Sequence, residues 1–390
     1  MTALNSSFFN RKKILGIIGG GQLGKMLLQS ANTWNLYTRV LTSDKEDSWL
    51  LNCNEFQFGN LQDFDSVYNF GKGCDVITIE IEHINIAALY SLKKEGVIVH
   101  PDPDALQIIK DKGLQKQFLK ENGFPTPDFI LFNNEQEILK AIKEEVLRFP
   151  FVQKSRTDGY DGRGVKVIES ISELKYLMNL ASVVESKVNI KNEISIIASR
   201  NAQGEIACYD AVEMNFVKGV NMLDLLSYPA NIKGSIAKKA KELASSLIGK
   251  LDICGLLAVE FFVDMDNNLL INEVAPRPHN SGHQTIESSE TSQFEQHMRG
   301  VLNLPLGSTA LKIPSVMINL LGEEGHTGNV FYENIEKCLA LKGVHIHIYG
   351  KNQTKPFRKM GHVTVTNSSL HEAKKRAKWI KKTLKVVCRS

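Results

Sequence analysis

Lys154 stands just past an apolar run at 149–152 and just before a loop with glycines at Gly159, Gly162 and Gly164. A second strand is expected over Val165–Ile168. Glycines at that density let backbone N–H groups close on an anion, because no Cβ blocks the approach. A lysine at the end of a strand adds a point charge for phosphate oxygens. A glycine loop alone would also suit a plain surface hairpin. This one carries Tyr160, Asp161 and Arg163, which a passive loop does not need. Phosphate handling is the expected chemistry.

Residues 258–273, AVEFFVDMDNNLLINE, supply a second set of reactive groups. Two β-like runs flank Asp266-Asn267-Asn268, which predicts a hairpin. With Phe262 opposite Ile271, Glu260 falls opposite Glu273 and the two carboxylates share a face. Like charges so placed repel unless a cation sits between them. Mg²⁺ fits, since it is held by a few carboxylates together with substrate phosphates. A bulge that turned one glutamate to solvent would remove the site; a phosphate loop in the same region favours the metal.

These groups need a scaffold. An apolar strand at 13–18 runs into Gly19-Gly20-Gly21-Gln22-Leu23-Gly24, and a helix is expected from near Lys25. Further strands are predicted at 37–41, 75–80 and 96–99, with helical stretches between them. That alternation predicts a doubly wound parallel sheet over residues 11–105. Pro101-Asp102-Pro103 closes it, and 104–122 reads as one helix. Strands and helices then alternate to about 300, and a shorter β-rich piece has strands at 344–349 and 362–366. The basic run 374–385 reads as the solvated face of a last helix. The expected class is α/β and α+β, in three domains: 1–110, 111–305 and 306–390.

Composition narrows the function classes. The 390 residues, 43% hydrophobic and 23% charged with a net charge of +4, suit soluble globular domains and give no electrostatic case for nucleic-acid binding. No run is apolar enough for a membrane span, since the best, 253–263, contains Glu260. The first dozen residues read as a loose N-terminus. The six cysteines are widely separated and form no C-x-x-C pair, which points to a reducing, cytoplasmic compartment. His279 and His283 stand four apart, but Pro278 and Gly282 argue against a helical zinc pair. His345 and His347 read as surface or packing residues, Cys254 as a small buried hydrophobe, and Trp34 and Trp49 as packing.

The first glycine cluster satisfies G-x-G-x-x-G, and Asp44 lies twenty residues beyond Gly24, as a ribose-binding acid would. A nicotinamide-dependent dehydrogenase would explain these residues. It would leave Lys154, Glu260 and Glu273 without a role.

Six segments carry a resemblance: GGGQLGKM at 19–26, EIEHI at 80–84, DKGLQKQFL at 111–119, TDGYDGRG at 157–164, INEVAPRPHNSGH at 271–283 and FRKMGH at 357–362. The chain resembles the ATP-grasp carboxylate–amine ligases and, within them, the N5-carboxyaminoimidazole ribonucleotide synthetase family of purine biosynthesis. The likeness covers nearly the whole chain, and the 275–283 segment is its narrowest part. It implies a central ATP-grasp fold between the N-terminal sheet and the C-terminal piece. It also implies that ATP and bicarbonate carboxylate the amine of 5-aminoimidazole ribonucleotide, with Mg²⁺, in a cytoplasmic homodimer.

By the same resemblance, Lys112 and Lys154 contact the ATP phosphates and residues 159–165 close over them. Glu185, Ser186, Lys187 and Val188 read adenine, largely through backbone groups. Glu193 holds the ribose hydroxyls, and Glu260 and Glu273, with Asn272, hold Mg²⁺ and the triphosphate. The ribonucleotide falls to Glu80 or Glu82, Tyr160, Asp161, Arg163, Arg277, His279, Asn280, Lys351 and Arg358. Lys154, Asp161, Arg163, Arg277 and Asn280 are the catalytic set. Two positions depart from the family pattern. Phe216 takes the place of a histidine, and Phe357 replaces the glycine of an R-P-G-R-K loop. A formate-dependent glycinamide ribonucleotide transformylase would share the loop and hairpin but not 275–283. A non-catalytic nucleotide-binding regulator would not need Lys154, Glu260 and Glu273 intact.

Overall fold

The computed structural model describes residues 8–44, 52–157, 159, 164–216 and 223–389. At the N-terminus, Ile14–Ile18 pairs in parallel with Tyr37–Thr42 on one side and Val76–Ile79 on the other. Glu55–Phe58 and Ile98–Val99 form the edges, so all five strands are parallel. Alternation along the first strand sends Leu15 and Ile17 into one core and Ile18 into another. Helix Gln22–Thr33 covers the first face, and helices Phe64–Gly71 and Ile86–Lys94 cover the second. A sheet buried on both faces is what apolar runs in a βα alternation produce.

The predicted strands shorten to Val76–Ile79 and Ile98–Val99, and Glu55–Phe58 is an edge strand absent from the sequence reading. It was illegible because Phe56 and Phe58 both stay exposed, so the residues a core would select are not in the core. The helix expected over 104–122 is two, Pro103–Lys110 and Lys112–Glu121. Asp111 separates them with an extended backbone, and its carboxylate accepts from the Gly113 and Leu114 N–H groups. An N-cap of this kind starts a new helix in a new direction, and here it aims Lys112 and Lys116.

Four antiparallel strands form a small sheet in the order Phe129–Phe132, Ser182–Ser186, Phe151–Ser155, Val165–Ile168. Its strand carrying Lys154 begins at Phe151, two residues later than expected. A nine-stranded sheet starts at Leu269–Ala275 and continues through Gly255–Asp264, Ile190–Arg200, Val212–Phe216 and Leu223–Tyr228. It then passes to Ser315–Leu321, Lys359–Thr366 and Val344–Ile348, with Ile206–Cys208 paired onto Ile190–Arg200. Leu226 pairs with Met317, so the ladder runs unbroken past residue 305 into the C-terminal part. Helix Gly234–Lys250 packs Ala240, Ala244 and Leu247 beneath it. The basic run lies on helix Leu370–Thr383, whose Ala373, Ala377 and Ile380 are buried. No helix among the described residues is long and apolar enough to cross a membrane.

At Phe357, φ is +64°, so the phenylalanine adopts the left-handed backbone that the family's glycine would take. Its side chain is 51% exposed, so little packing is at stake. A left-handed non-glycine residue costs about 1–2 kcal/mol, which glycine relieves at the expense of a more flexible unfolded chain. Phe357→Gly should therefore lose no stability, whereas the β-branched Phe357→Val, which keeps that cost and adds crowding at Cβ, should be the less stable of the two variants. Urea unfolding of the two variants against the parent chain checks this.

Candidate active site

The hairpin formed by Gly255–Asp264 and Leu269–Ala275 sets Glu260 directly opposite Glu273. Beyond that pair the register slips, so Phe261 faces Ile271 and Phe262 faces Leu270, not Ile271 as expected. Asn272 is the extra residue. A bulge re-aims side chains that strict alternation would send to opposite faces. Here it brings Asn272 and Glu273, neighbours in sequence, to the same group of partners. Asn272 Oδ1 accepts from Lys154 Nζ at 2.7 Å, and Asn272 Nδ2 lies 3.5 Å from Glu260 Oε2. Lys112 Nζ donates to Glu273 Oε2. Lys112 holds the Glu273 carboxyl below its usual range, while burial and then Glu273 itself push Glu260 up.

Burial and Glu273 thus disfavour the ionised form of Glu260, which a cation would restore, and the carboxylate oxygens of Glu260 and Glu273 are the facing acceptors. These suit a hard divalent cation. No group of three or more His, Cys, Asp or Glu among the described residues is arranged to hold a metal. Two facing carboxylates would then need phosphate oxygens to complete a shell.

Lys154 is held twice, by Asn272 and by Glu185 Oε2 at 2.7 Å. Glu185 was nominated for its backbone, but its side chain is only 2% exposed and also pairs with Lys116 Nζ at 2.8 Å. Burial opposes the charge of Glu185, yet Lys154 and Lys116 outweigh it and keep the carboxyl below its usual range. Lys116, likewise 2% exposed, also donates to Thr126 Oγ1 at 2.6 Å and Ile271 O at 3.2 Å. Burial lowers its pKa to about 8, against the pull of Glu185. The sequence reading missed Lys116. Its spacing of four from Lys112 on one helix was the available signal.

A cleft of about 420 Å³ lies beside this cluster, with Ser186, Lys187 and Val188 on one wall and Met265 and Leu270 on the other. That volume admits a purine ring system. Lys187 also pairs with Glu169 at 2.5 Å. Glu193 lies on Ile190–Arg200 between Phe262 and Met214, and burial raises its carboxyl to about 7, with Lys154 pulling the other way. Phe216 packs with an apolar cluster that contains Met214 and Leu226. In the glycine loop, Gly164 has φ +74° and its O accepts from Ser155 N at 2.8 Å, and Gly159 and Val165 flank the strand ends. Tyr160, Asp161, Gly162 and Arg163 lie outside the described residues.

Of the remaining nominated groups, Glu80, Glu82, Arg277 and Lys351 lie near the first glycine cluster. Glu80, 8% exposed, accepts from Gly21 N at 2.8 Å and Gly24 N at 3.1 Å. A Cβ on Gly19 would come within 2.4 Å of Glu80 Cγ, and one on Gly21 within 2.7 Å of its Oε1. The glycines thus admit a carboxylate of the protein itself at the helix N-terminus, the position a dinucleotide pyrophosphate would need. This removes the dehydrogenase reading. Beside it, Arg277 Nε pairs with Glu82 at 2.8 Å, and Lys351 Nζ donates to Gln22 Oε1 at 3.1 Å. His279 Nδ1 meets Ser281 Oγ at 2.9 Å, and its Nε2 is 3.8 Å from Glu260 Oε1. Asn280 opens a short 3₁₀ turn, Asn280–Gly282. Arg358 Nη1 donates to Gln353 O at 2.7 Å on the C-terminal rim.

Residues 12–110 match the ribonucleotide synthetase preATP-grasp domain, 117–294 the ATP-grasp domain, and 315–376 the phosphoribosylaminoimidazole carboxylase C-terminal domain. The N5-carboxyaminoimidazole ribonucleotide synthase of Synechocystis is 35% identical over 385 residues, 96% of this chain and 96% of that protein. The phosphoribosylaminoimidazole carboxylase of Candida glabrata is also 35% identical, and the chain spans 66% of its length. The structure of N5-carboxyaminoimidazole ribonucleotide synthetase from Thermotoga maritima superposes with a TM-score of 0.89 at 41% identity, covering 97% of this chain and all (100%) of that one. The Aspergillus clavatus synthase in complex with ADP and 5-aminoimidazole ribonucleotide gives 0.86 at 31% identity, covering 95% and 98%.

Removing one partner of a buried ion pair leaves an uncompensated charge and costs about 3–5 kcal/mol. Lys116→Met leaves Glu185 paired with Lys154 and should lose less than that, whereas adding Glu185→Gln should lose more, because Lys154 then keeps only Asn272. Urea midpoints of the single and double variants provide the comparison.

Proposed function

The chain belongs to the N5-carboxyaminoimidazole ribonucleotide synthetase family, and we propose that it carboxylates the exocyclic amine of 5-aminoimidazole ribonucleotide with ATP and bicarbonate. The observation that carries this reading is the continuity of one stretch of chain, from strand Leu269–Ala275 into residues 276–283. Glu273 ends the triphosphate side of Leu269–Ala275, and Arg277 and His279 follow directly, with His279 Nε2 3.8 Å from Glu260. Two substrates bound on either side would meet over a few ångströms.

Bicarbonate is a poor electrophile until one of its oxygens carries a phosphoryl leaving group. Its oxygen attacks the γ-phosphorus of ATP, the bond to the β-bridging oxygen breaks, and ADP leaves. Lys112 and Lys154, fixed by Glu273, Asn272 and Glu185, present positive charge to the phosphate oxygens as negative charge moves onto them. Mg²⁺ held by Glu260 and Glu273 would supply further charge neutralisation across the phosphates. Carboxyphosphate then breaks its C–O bond to give CO₂ and phosphate. The amine nitrogen bonds to the carbon of CO₂ and gives up a proton to the released phosphate, leaving the carbamate. Water would destroy the intermediate, so a closed site and a nearby amine raise the yield. On the ribonucleotide side, Arg277, Lys351 and Arg358 offer cations for its phosphate, and Glu82 orients Arg277. Asp161 and Arg163 join this set through the family resemblance. The same resemblance implies a homodimer, and the separated cysteines support a cytoplasmic, reducing location.

The deciding assay is ADP release with bicarbonate, formate and 5-aminoimidazole ribonucleotide each added or omitted. Release that needs bicarbonate and rises with the ribonucleotide supports the proposal; release driven by formate instead would replace it with the transformylase reading. In that assay Glu273→Gln should abolish turnover with little loss of stability, because the amide keeps the shape but removes one of the metal-holding charges. Wild-type turnover by this variant at ordinary magnesium would remove the metal assignment.

Glu193 gives a pH signature. Its carboxyl titrates at about 7 in the folded protein, above its ordinary 4.5, so it is ionised above and protonated below that pH. Only the ionised form accepts well from both ribose hydroxyls. ATP affinity should fall about tenfold from pH 8 to pH 6, and Glu193→Gln should flatten the difference. Calorimetric titration of both proteins with ATP tests it.

A further inference from the structure

Strand Val344–Ile348 was expected to carry surface or packing histidines, and His347 does more than pack. Its Nε2 lies 2.6 Å from Glu287 Oε1 on the short helix Thr285–Ser288, and Glu287 is largely buried. Its ring stacks on His362 with centroids 4.3 Å apart and planes 8° from parallel. His362 lies in turn 4.7 Å from His283, and both of these rings are fully buried. Gln293 holds His283 Nδ1 at 3.1 Å and also binds both backbone polar groups of His279, at 2.9 and 2.8 Å. A continuous set of contacts therefore joins His347 to the 277–283 segment.

The contacts in the other direction reach the glycine cluster. Ile348 O accepts from Lys25 Nζ at 2.7 Å, and Tyr349 OH meets His362 Nδ1 at 3.0 Å. Gly350 then turns the chain with φ +82°, and Lys351 reaches Gln22 Oε1 at 3.1 Å and Lys359 O at 2.8 Å. Gln22 and Lys25 sit on the helix whose N-terminus holds Glu80. Residues 347–351 are thus the place where the three parts of the chain meet. A lysine side chain has four rotatable bonds, so its position is only as well defined as the backbone that presents it. After a glycine turn that definition must come from the anchored strand before it.

We propose that His347, through its pair with Glu287 and its stack on His362, is a positioning residue that sets Lys351 against the 277–283 segment and thereby sets affinity for the ribonucleotide. This rests on the reading above, in which Lys351 and that segment bind 5-aminoimidazole ribonucleotide. His347 touches neither substrate in this account. It acts on where the C-terminal part places its lysine, which is why its effect belongs to one substrate and not the other.

The experiment uses the full chain and five proteins: the parent, His347→Leu, His347→Gln, Lys351→Met and the double variant His347→Leu/Lys351→Met. ADP release gives KM for each substrate and kcat, and calorimetry gives ribonucleotide binding without turnover. His347→Leu should raise KM for the ribonucleotide about tenfold, as sub-ångström to ångström misplacement of a binding group does. KM for ATP and the ATP hydrolysis seen without ribonucleotide should not change. His347→Gln, which keeps a hydrogen-bonding group toward Glu287, should recover part of the loss. In the Lys351→Met background, His347→Leu should add nothing, since a residue acting through Lys351 has nothing left to position. Additive losses in the double variant would overturn the inference. So would unchanged ribonucleotide binding in His347→Leu, or equal losses for both substrates. A parent protein that neither binds nor responds to the ribonucleotide would instead overturn the ligase reading itself, and that outcome is seen before any variant is compared.

Discussion

Two carboxylates opposed across a β-ladder cannot both stay ionised and buried without positive charge between or beside them. Glu260 and Glu273 impose that constraint, and much of the surrounding structure answers it. Lys112 comes from the first turn of one helix to pair with Glu273, and Lys154 comes from the small sheet to Asn272. Lys154 in turn needs Glu185, and Glu185 needs Lys116 to stay charged in a buried place. Each member is defined by a neighbour on a different element. The arrangement is therefore a property of the assembled fold and not of any one motif. Glu260 has no lysine paired to it as Glu273 has, and in the proposed reading Mg²⁺ would meet that need.

The first glycine cluster shows how the same local geometry can serve a different end. Strand, glycine turn and helix make an anion cradle whether the anion arrives as a ligand or as a side chain. Here Glu80 fills it, from the end of a neighbouring parallel strand. The cradle thus fixes an acidic group within reach of Arg277 and Lys351, both of which favour its ionised form against burial. A motif common to dinucleotide sites here holds a carboxylate of the protein itself.

Much of this was legible in the sequence, for definable reasons. Apolar runs in βα alternation, the lysine before a glycine loop and the opposed glutamates all follow from short-range periodicity. What escaped was set by interactions between distant elements. The bulge at Asn272 shifts the register by one residue and leaves no mark in an otherwise regular alternation. The break at Asp111 was written in its capping residue but hidden by helix formers on both sides. Lys116 looks like any solvated lysine until Glu185 is brought over it. Glu55–Phe58 presents its aromatics outward, against the rule by which strands are found. His347 alternates with an isoleucine as any strand residue would, and only Glu287 and His362 give it a role.

The unbroken pairing of Leu223–Tyr228 with Ser315–Leu321 has a mechanical meaning. Rows of backbone hydrogen bonds resist shear and bending cooperatively, so the hairpin with its glutamates and the C-terminal strands form one stiff plate. The four-stranded sheet shares no strand pairing with that plate among the described residues. The contact of Lys154 with Asn272 ties it directly to the plate, and Glu185 reaches the plate through Lys116, which donates to the Ile271 carbonyl. Rigidity and compliance are thus divided between the two partners of the nucleotide cleft. Lys154 and Glu185 sit on the sheet outside that ladder, whereas Lys112 and Lys116 stand on a helix whose Leu119 packs into the core beneath the plate. Any displacement of the small sheet would therefore change the contacts of Lys154 and leave Glu260 and Glu273 fixed relative to each other.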